Sequence, residues 1–82
     1  MNETESQLCQ LLRSALDKAF PDLTAATDLV DDLALESIQV MDFIAEVEDH
    51  FDILIEVDRL ASIRTLAELA VLVDEEVAGQ GD

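Results

Sequence analysis

The sequence predicts a small all-α fold: a four-helix bundle of three main helices and one short one, with a long loop between the first and second. Apolar residues recur at helical spacing in three separate segments, and the one β-branched stretch has no second strand to pair with. Half of the 82 residues are apolar against only 2 Gly and 1 Pro, which argues for a folded chain rich in regular structure. The length fits a single domain, read as residues 1–82 with an ordered core of about 4–78, and leaves no room for a large substrate cleft.

In the first helix Leu8, Leu11, Leu12, Ala15, Leu16 and Ala19 lie within about 140° of arc. Thr4 and Gln7 have capping-box spacing ahead of that stripe, and Pro21 stops the helix after Phe20. Cys9 sits at the edge of the stripe, where a small buried hydrophobe is the expected role, since no base lies nearby to activate a thiol. Residues 21–36 lack a helical period and carry isolated apolar anchors at Leu23, Leu29, Val30, Leu33 and Leu35. Structureless loops of this length are often functional, which directs attention to the downstream end, Glu36-Ser37.

The second helix runs from Ser37 to Phe51. Val40, Phe43, Ile44, Val47 and Phe51 occupy an arc of about 100° that can seat it on a core. Ile38, Met41 and Ala45 fall on the roughly opposite side among Asp42, Glu48 and Asp49. That mixed face reads either as a docking surface or as a second buried side within a small bundle. Asp52 to Val57 reads as an extended connector that tucks Ile53, Ile55 or Val57 into the core, and Asp58 to Ser62 as one short helical turn. Thr65 and Glu68 have capping-box spacing before a last helix whose stripe is Leu66, Leu69, Ala70, Val73 and Val77. That helix is expected to end near Ala78, with Gly79 as its stop and a frayed Gln80-Gly81-Asp82.

Twenty acidic residues against four basic ones give a net charge of -16. Such a surface repels nucleic acid and anionic membranes and attracts basic protein surfaces. A single cysteine, an acidic polar N-terminus and the lack of any long apolar run point to a cytoplasmic protein.

Catalysis finds little support in these residues. Ser37 and the only histidine, His50, lie about 20 Å apart along one helix, so they cannot form a nucleophile and base. Asp28, Asp31, Asp32 and Glu36 cluster, but Val30 and Leu33 occupy positions where a calcium loop needs an oxygen ligand and a glycine, so no metal site is assigned. What remains is a serine at the start of an acidic helix. It reads either as an ordinary N-cap or as a hydroxyl suited to carry a phosphate ester near the positive helix end.

Asp32-Leu33-Ala34-Leu35-Glu36-Ser37-Ile38, with Val40, Met41, Phe43, Val47-Glu48, Phe51-Asp52-Ile53 and Ile63-Arg64-Thr65-Leu66, resembles the acyl carrier protein family over most of the chain. The family's commonest form has Asp-Leu-Gly and Asp-Ser-Leu where this chain has Asp32-Leu33-Ala34 and Glu36-Ser37-Ile38. Glu36 keeps the charge on a longer side chain, and Ala34 calls for an ordinary backbone or some strain where glycine would take a positive φ cheaply.

The resemblance implies that Ser37 is esterified by 4'-phosphopantetheine from coenzyme A, whose thiol carries an acyl group as a thioester. It also implies a docking face of Glu36, Ile38, Met41, Asp42, Ala45, Glu48 and Asp49. The implied partners are a phosphopantetheinyl transferase and acyl-processing enzymes with basic patches, such as a ketosynthase and an acyltransferase. The expected role is that of a monomeric, non-catalytic carrier for fatty acid, polyketide or related lipid synthesis. The competing expectation is an acidic helical adaptor that binds a basic partner without a prosthetic group.

Overall fold

The computed structural model describes residues 2–16, 23–29, 31–32 and 36–80. Among these described residues four helices follow one another: α1 (Glu3–Leu16), α2 (Ser37–Phe51), α3 (Val57–Leu60) and α4 (Leu66–Gln80). The expectations for Ala19, Phe20, Pro21, Val30, Leu33, Ala34, Leu35, Gly81 and Asp82 lie outside the described residues.

Helix α1 is the hub of the bundle, packing against both α2 and α4. Its buried side is Leu8, Cys9 and Leu12, with Leu11 packed at the margin. The N-terminus corrects the expected cap. Asn2, not Thr4, caps the helix: Asn2 Oδ1 accepts the Glu5 N–H at 2.8 Å and the Glu5 carboxylate accepts the Asn2 N–H at 3.0 Å. Both pairs fit the same four-residue spacing. The Thr4 hydroxyl is instead taken by α4, donating to Asp74 Oδ1 at 2.7 Å.

Burial of Cys9 pushes its thiol pKa up; Arg13 opposes the shift and Glu5 adds to it. That suits a core residue rather than a nucleophile.

Residues 25–29, in the loop before α2, are fixed to the start of α4. Leu29 N–H donates to Arg64 C=O at 2.8 Å, Leu66 N–H to Thr27 C=O at 3.2 Å and Ala67 N–H to Ala25 C=O at 2.8 Å. Asp28 and Thr65 pair as an isolated antiparallel bridge. Leu23 and Leu29 enter the core as expected, and the buried Thr27 hydroxyl accepts the Thr24 N–H at 2.8 Å.

Helix α2 lays Phe43, Ile44 and Val47 into the core, with Val40 and Phe51 packed at its edge. It ends at Asp52, whose left-handed backbone (φ 56, ψ 51) lets its N–H reach Glu48 C=O. An aspartate tolerates that conformation better than most side chains. The connector then alternates, burying Ile53 and Ile55 and exposing Leu54 and Glu56.

Val57, an expected core candidate, is 70% exposed. Helix α3 begins at Val57, one residue earlier than expected, and that breaks the period-two phase of the connector. This short helix buries no residue of its own. Leu60 packs against the core margin, and Arg59 ties α3 to α4 through Glu76 at 2.7 Å and Glu75 at 3.4 Å.

Helix α4 opens with the expected capping box. Thr65 Oγ1 accepts the Glu68 N–H at 3.1 Å while the Glu68 carboxylate accepts the Thr65 N–H at 3.0 Å. The same carboxylate accepts the Arg64 N–H at 3.1 Å. Leu66, Leu69, Ala70, Leu72 and Val73 are buried, whereas Val77 is 43% exposed, against expectation. The Thr4–Asp74 bond sets the start of α1 level with Asp74, so the stripe continues past the partner that would have covered it. The helix also runs through Gly79 to Gln80. Gly79 has no positive φ, so it does not supply the expected stop.

Bonds from the Arg64 and Thr65 backbone N–H groups, in that order of size, hold the Glu68 carboxyl below the usual carboxylate range. A depressed folded pKa gives stability that is complete above the unfolded value and is lost as pH falls through the folded one. Glu68→Gln keeps an acceptor at the cap but removes the titration. The acid limb of a stability-versus-pH curve, followed by urea denaturation between about pH 5 and 3, is therefore expected to be shallower in the variant. Identical acid limbs would remove Glu68 from the linkage.

Candidate functional site

The site is built on the N-terminal turn and exposed face of α2. Ser37 is the first helical residue, and the N-cap position belongs to Glu36, which has an extended backbone (φ -80, ψ 161). Glu36 N–H donates to Gln39 Oε1 at 2.9 Å, and its C=O accepts the Val40 N–H at 3.0 Å. The ordinary N-cap reading of Ser37 is thereby corrected: Glu36 is the cap and Gln39 is its partner. The first turn of α2 itself carries no acidic residue, but its N-cap does, so the Glu36 carboxylate shares the positive end of the helix.

Of the sequence-derived face, Ile38 is 68% and Met41 56% exposed, and Ala45 lies open beside them. Glu36, Asp42 and Asp49 are exposed as well. The alternative of a helix buried on two sides is therefore excluded at these positions. Glu48 differs from its neighbours: it is half-buried, and its Oε2 accepts the Ile55 N–H at 2.8 Å, tethering the connector to α2. His50 is exposed at the far end of the helix, its ring edge-on to Phe51 with centroids 4.8 Å apart.

Upstream of α2 the loop carries an aspartate cluster. Arg64 Nε meets Asp28 Oδ2 at 3.1 Å and its Nη2 meets Asp31 Oδ2 at 2.8 Å. Asp28 Oδ1 accepts the Asp31 N–H at 2.7 Å and Asp32 Oδ2 the Asp28 N–H at 2.9 Å. The hydrogen bond from Arg64 to Asp28 and the charges of Asp28 and Asp31 hold the guanidinium still more firmly in its charged form. These carboxylates brace the loop against α4, and among the described residues no group of His, Cys, Asp or Glu could hold a metal ion. Sequence reasoning missed both Arg64 and Gln39 as working parts. The four-residue spacing of Glu36 and Gln39 carried a trace of the second; nothing local carried the first.

The family model described as "Phosphopantetheine attachment site" matches residues 6–73. The chain belongs to the acyl carrier protein family.

A probable acyl carrier protein of Caulobacter vibrioides is 41% identical over 54 residues, covering 66% of this chain and 63% of that protein, so the match spans under two thirds of the relative's length. An acyl carrier protein of Exiguobacterium sibiricum is 26% identical over 68 residues, with 83% of this chain and 86% of the relative covered. Among solved structures, the holo acyl carrier protein of Geobacter metallireducens superposes with a TM-score of 0.83 at 28% identity, covering 96% of this chain and 91% of that one. A second, a putative acyl carrier protein of Mycobacterium tuberculosis, gives 0.79 at 29% identity, covering 88% and 96%.

Members of this family are carriers rather than enzymes, and their prosthetic group is phosphopantetheine. As an acyl carrier protein this chain keeps the all-α fold of those neighbours. No helix among its described residues is long and apolar enough to cross a membrane.

Proposed function

We propose that this acyl carrier protein bears 4'-phosphopantetheine on Ser37, tethers acyl intermediates there and shuttles them as a cytoplasmic monomer. The enzymes it would serve belong to fatty acid, polyketide or related specialised lipid synthesis. The observation that carries the reading is the place of Ser37 at the first position of α2, between exposed Glu36 and exposed Ile38, with the cap role taken by Glu36.

The residues fit the group. The Ser37 hydroxyl would take the phosphopantetheinyl moiety from coenzyme A as a phosphodiester, with the nucleotide portion as the leaving group. The positive end of α2 favours the resulting negative charge, and the neighbouring Glu36 carboxylate opposes it. Once bound, the group supplies a thiol on a long arm that holds acyl chains as thioesters.

The rest of the chain orients and releases partners. Exposed Glu36, Asp42 and Asp49 beside Ile38 and Met41 offer acid and apolar contact to a phosphopantetheinyl transferase, a ketosynthase or an acyltransferase with a basic patch. Exposed charge pairs contribute only about 0–1 kcal/mol each, so they speed and orient encounter more than they prolong it. Short-lived, salt-sensitive complexes suit a carrier that must leave each enzyme after each step.

Incubation with coenzyme A and a promiscuous phosphopantetheinyl transferase is expected to add one phosphopantetheinyl mass to the wild type and none to Ser37→Ala. A wild type left unmodified by several such transferases would favour the acidic adaptor instead.

A further inference from the structure

Gln39 closes the first turn of α2 from within. Its Oε1 accepts the Glu36 N–H at 2.9 Å, and the Glu36 C=O accepts the Val40 N–H at 3.0 Å. Both backbone groups of the residue before Ser37 are therefore held by the opening turn of the helix that Ser37 begins. The first N–H groups of a helix have no partner in the helical ladder, so fraying starts in that turn. Glutamate is not among the side chains favoured at an N-cap, so closure of the turn leans on the reach-back of Gln39. The half-buried Gln39 side chain does this without adding charge, whereas a glutamate there would set a second carboxylate at the helix end that Glu36 already shares.

We infer that Gln39 is a positioning residue for the modification of Ser37: by holding the Glu36 N–H it fixes the backbone entering Ser37, and with it the direction from which the serine oxygen meets the donor. This rests on the carrier reading above and deepens it. In the transfer the Ser37 oxygen bonds to the phosphorus that carries the pantetheine. The bond from that phosphorus to the oxygen of the nucleotide half of coenzyme A breaks, and the hydroxyl proton passes to solvent. Such a displacement needs nucleophile and phosphorus in line, and a backbone free to swing at Glu36 spends less of its time in that geometry. Gln39 acts through Glu36 and is not itself a catalytic residue.

The test compares the unmodified wild type, Gln39→Met and Gln39→Glu in two measurements. Methionine keeps the length of the side chain with only a weak acceptor, and glutamate keeps a strong one. Solvent exchange of the Glu36 amide proton, followed by NMR with no transferase present, is expected to quicken about fivefold in Gln39→Met and to stay near the wild-type rate in Gln39→Glu. Steady-state loading by a phosphopantetheinyl transferase with coenzyme A is expected to show kcat lowered about fivefold for Gln39→Met, with KM for the carrier unchanged, and restored in Gln39→Glu. A raised KM with kcat unchanged would overturn the inference, because Gln39 would then be a docking contact. So would equal kcat values for wild type and Gln39→Met, or a Gln39→Glu protein that keeps the slow Glu36 exchange and still loads as poorly as Gln39→Met. A wild type that takes up no group would sink the carrier reading and the inference with it, whereas a loaded wild type beside any of those results sinks the inference alone.

Discussion

Phe43→Ala is expected to lower the melting temperature by about 20 °C, leaving the protein largely unfolded near physiological temperature. Phe43 is fully buried, on the side of α2 that meets the core. Removing a buried phenylalanine costs about 3–5 kcal/mol from lost transfer energy and the cavity left behind. A domain of this size has about 4–12 kcal/mol in all, and each kcal/mol moves the midpoint by about 4–8 °C. Ile38→Ala, on the opposite face of the same helix, removes a side chain that is 68% exposed and is expected to shift the midpoint by only about 2 °C. Circular dichroism melts of the two variants therefore test the helix orientation as well as the core. A comparable loss at Ile38 would mean that the face assigned to docking is buried.

Magnesium at millimolar concentration is expected to raise the melting temperature by about 5 °C, and sodium chloride to do so at higher concentration. The chain folds 20 acidic residues against four basic ones into 82 positions. Two of those basic residues are spent on bracing: Arg59 on Glu75 and Glu76, Arg64 on Asp28 and Asp31. The remaining acids repel one another across a compact surface, and screening relieves the folded state more than the expanded one. The two arginine braces would weaken in salt, but exposed pairs of this kind contribute little. A midpoint that falls on adding magnesium would show that the braces outweigh the repulsion.

Much of the fold was legible in the sequence because burial follows helical period. Phe43, Ile44 and Val47 on α2, and Leu66, Leu69, Ala70 and Val73 on α4, lie where that period places them. The misreadings have physical causes. Thr4 and Gln7 match a capping box as well as Asn2 and Glu5 do, and only the Asp74 carboxylate, seventy positions away, decides between them. Val77 keeps the stripe's phase but extends beyond the start of α1, so nothing in its own neighbourhood could have revealed its exposure. Leu72 is buried although it lies off the stripe, so the helical period alone does not anticipate it.

The candidate site was legible in a different way. The motif around Ser37 named the family, and the two apolar groupings of α2 divided its core face from its open face. The bracing of the loop and of the connector was not readable. That Arg64 meets Asp28 and Asp31 depends on the return of α4 against the loop, a contact across more than thirty residues. That Glu48 serves the connector rather than standing open depends on the left-handed turn at Asp52. Both are long-range or backbone facts with no local pattern.

The central claim is that Ser37 carries the arm, and the most direct measurement is peptide-level mass spectrometry of the protein isolated from its source, with fragmentation that localises any added group. The expected result is a phosphopantetheinyl group on the peptide containing Ser37, part of it still bearing an acyl thioester. A fully unmodified Ser37 peptide, or the group found on another hydroxyl such as Ser62, would contradict it.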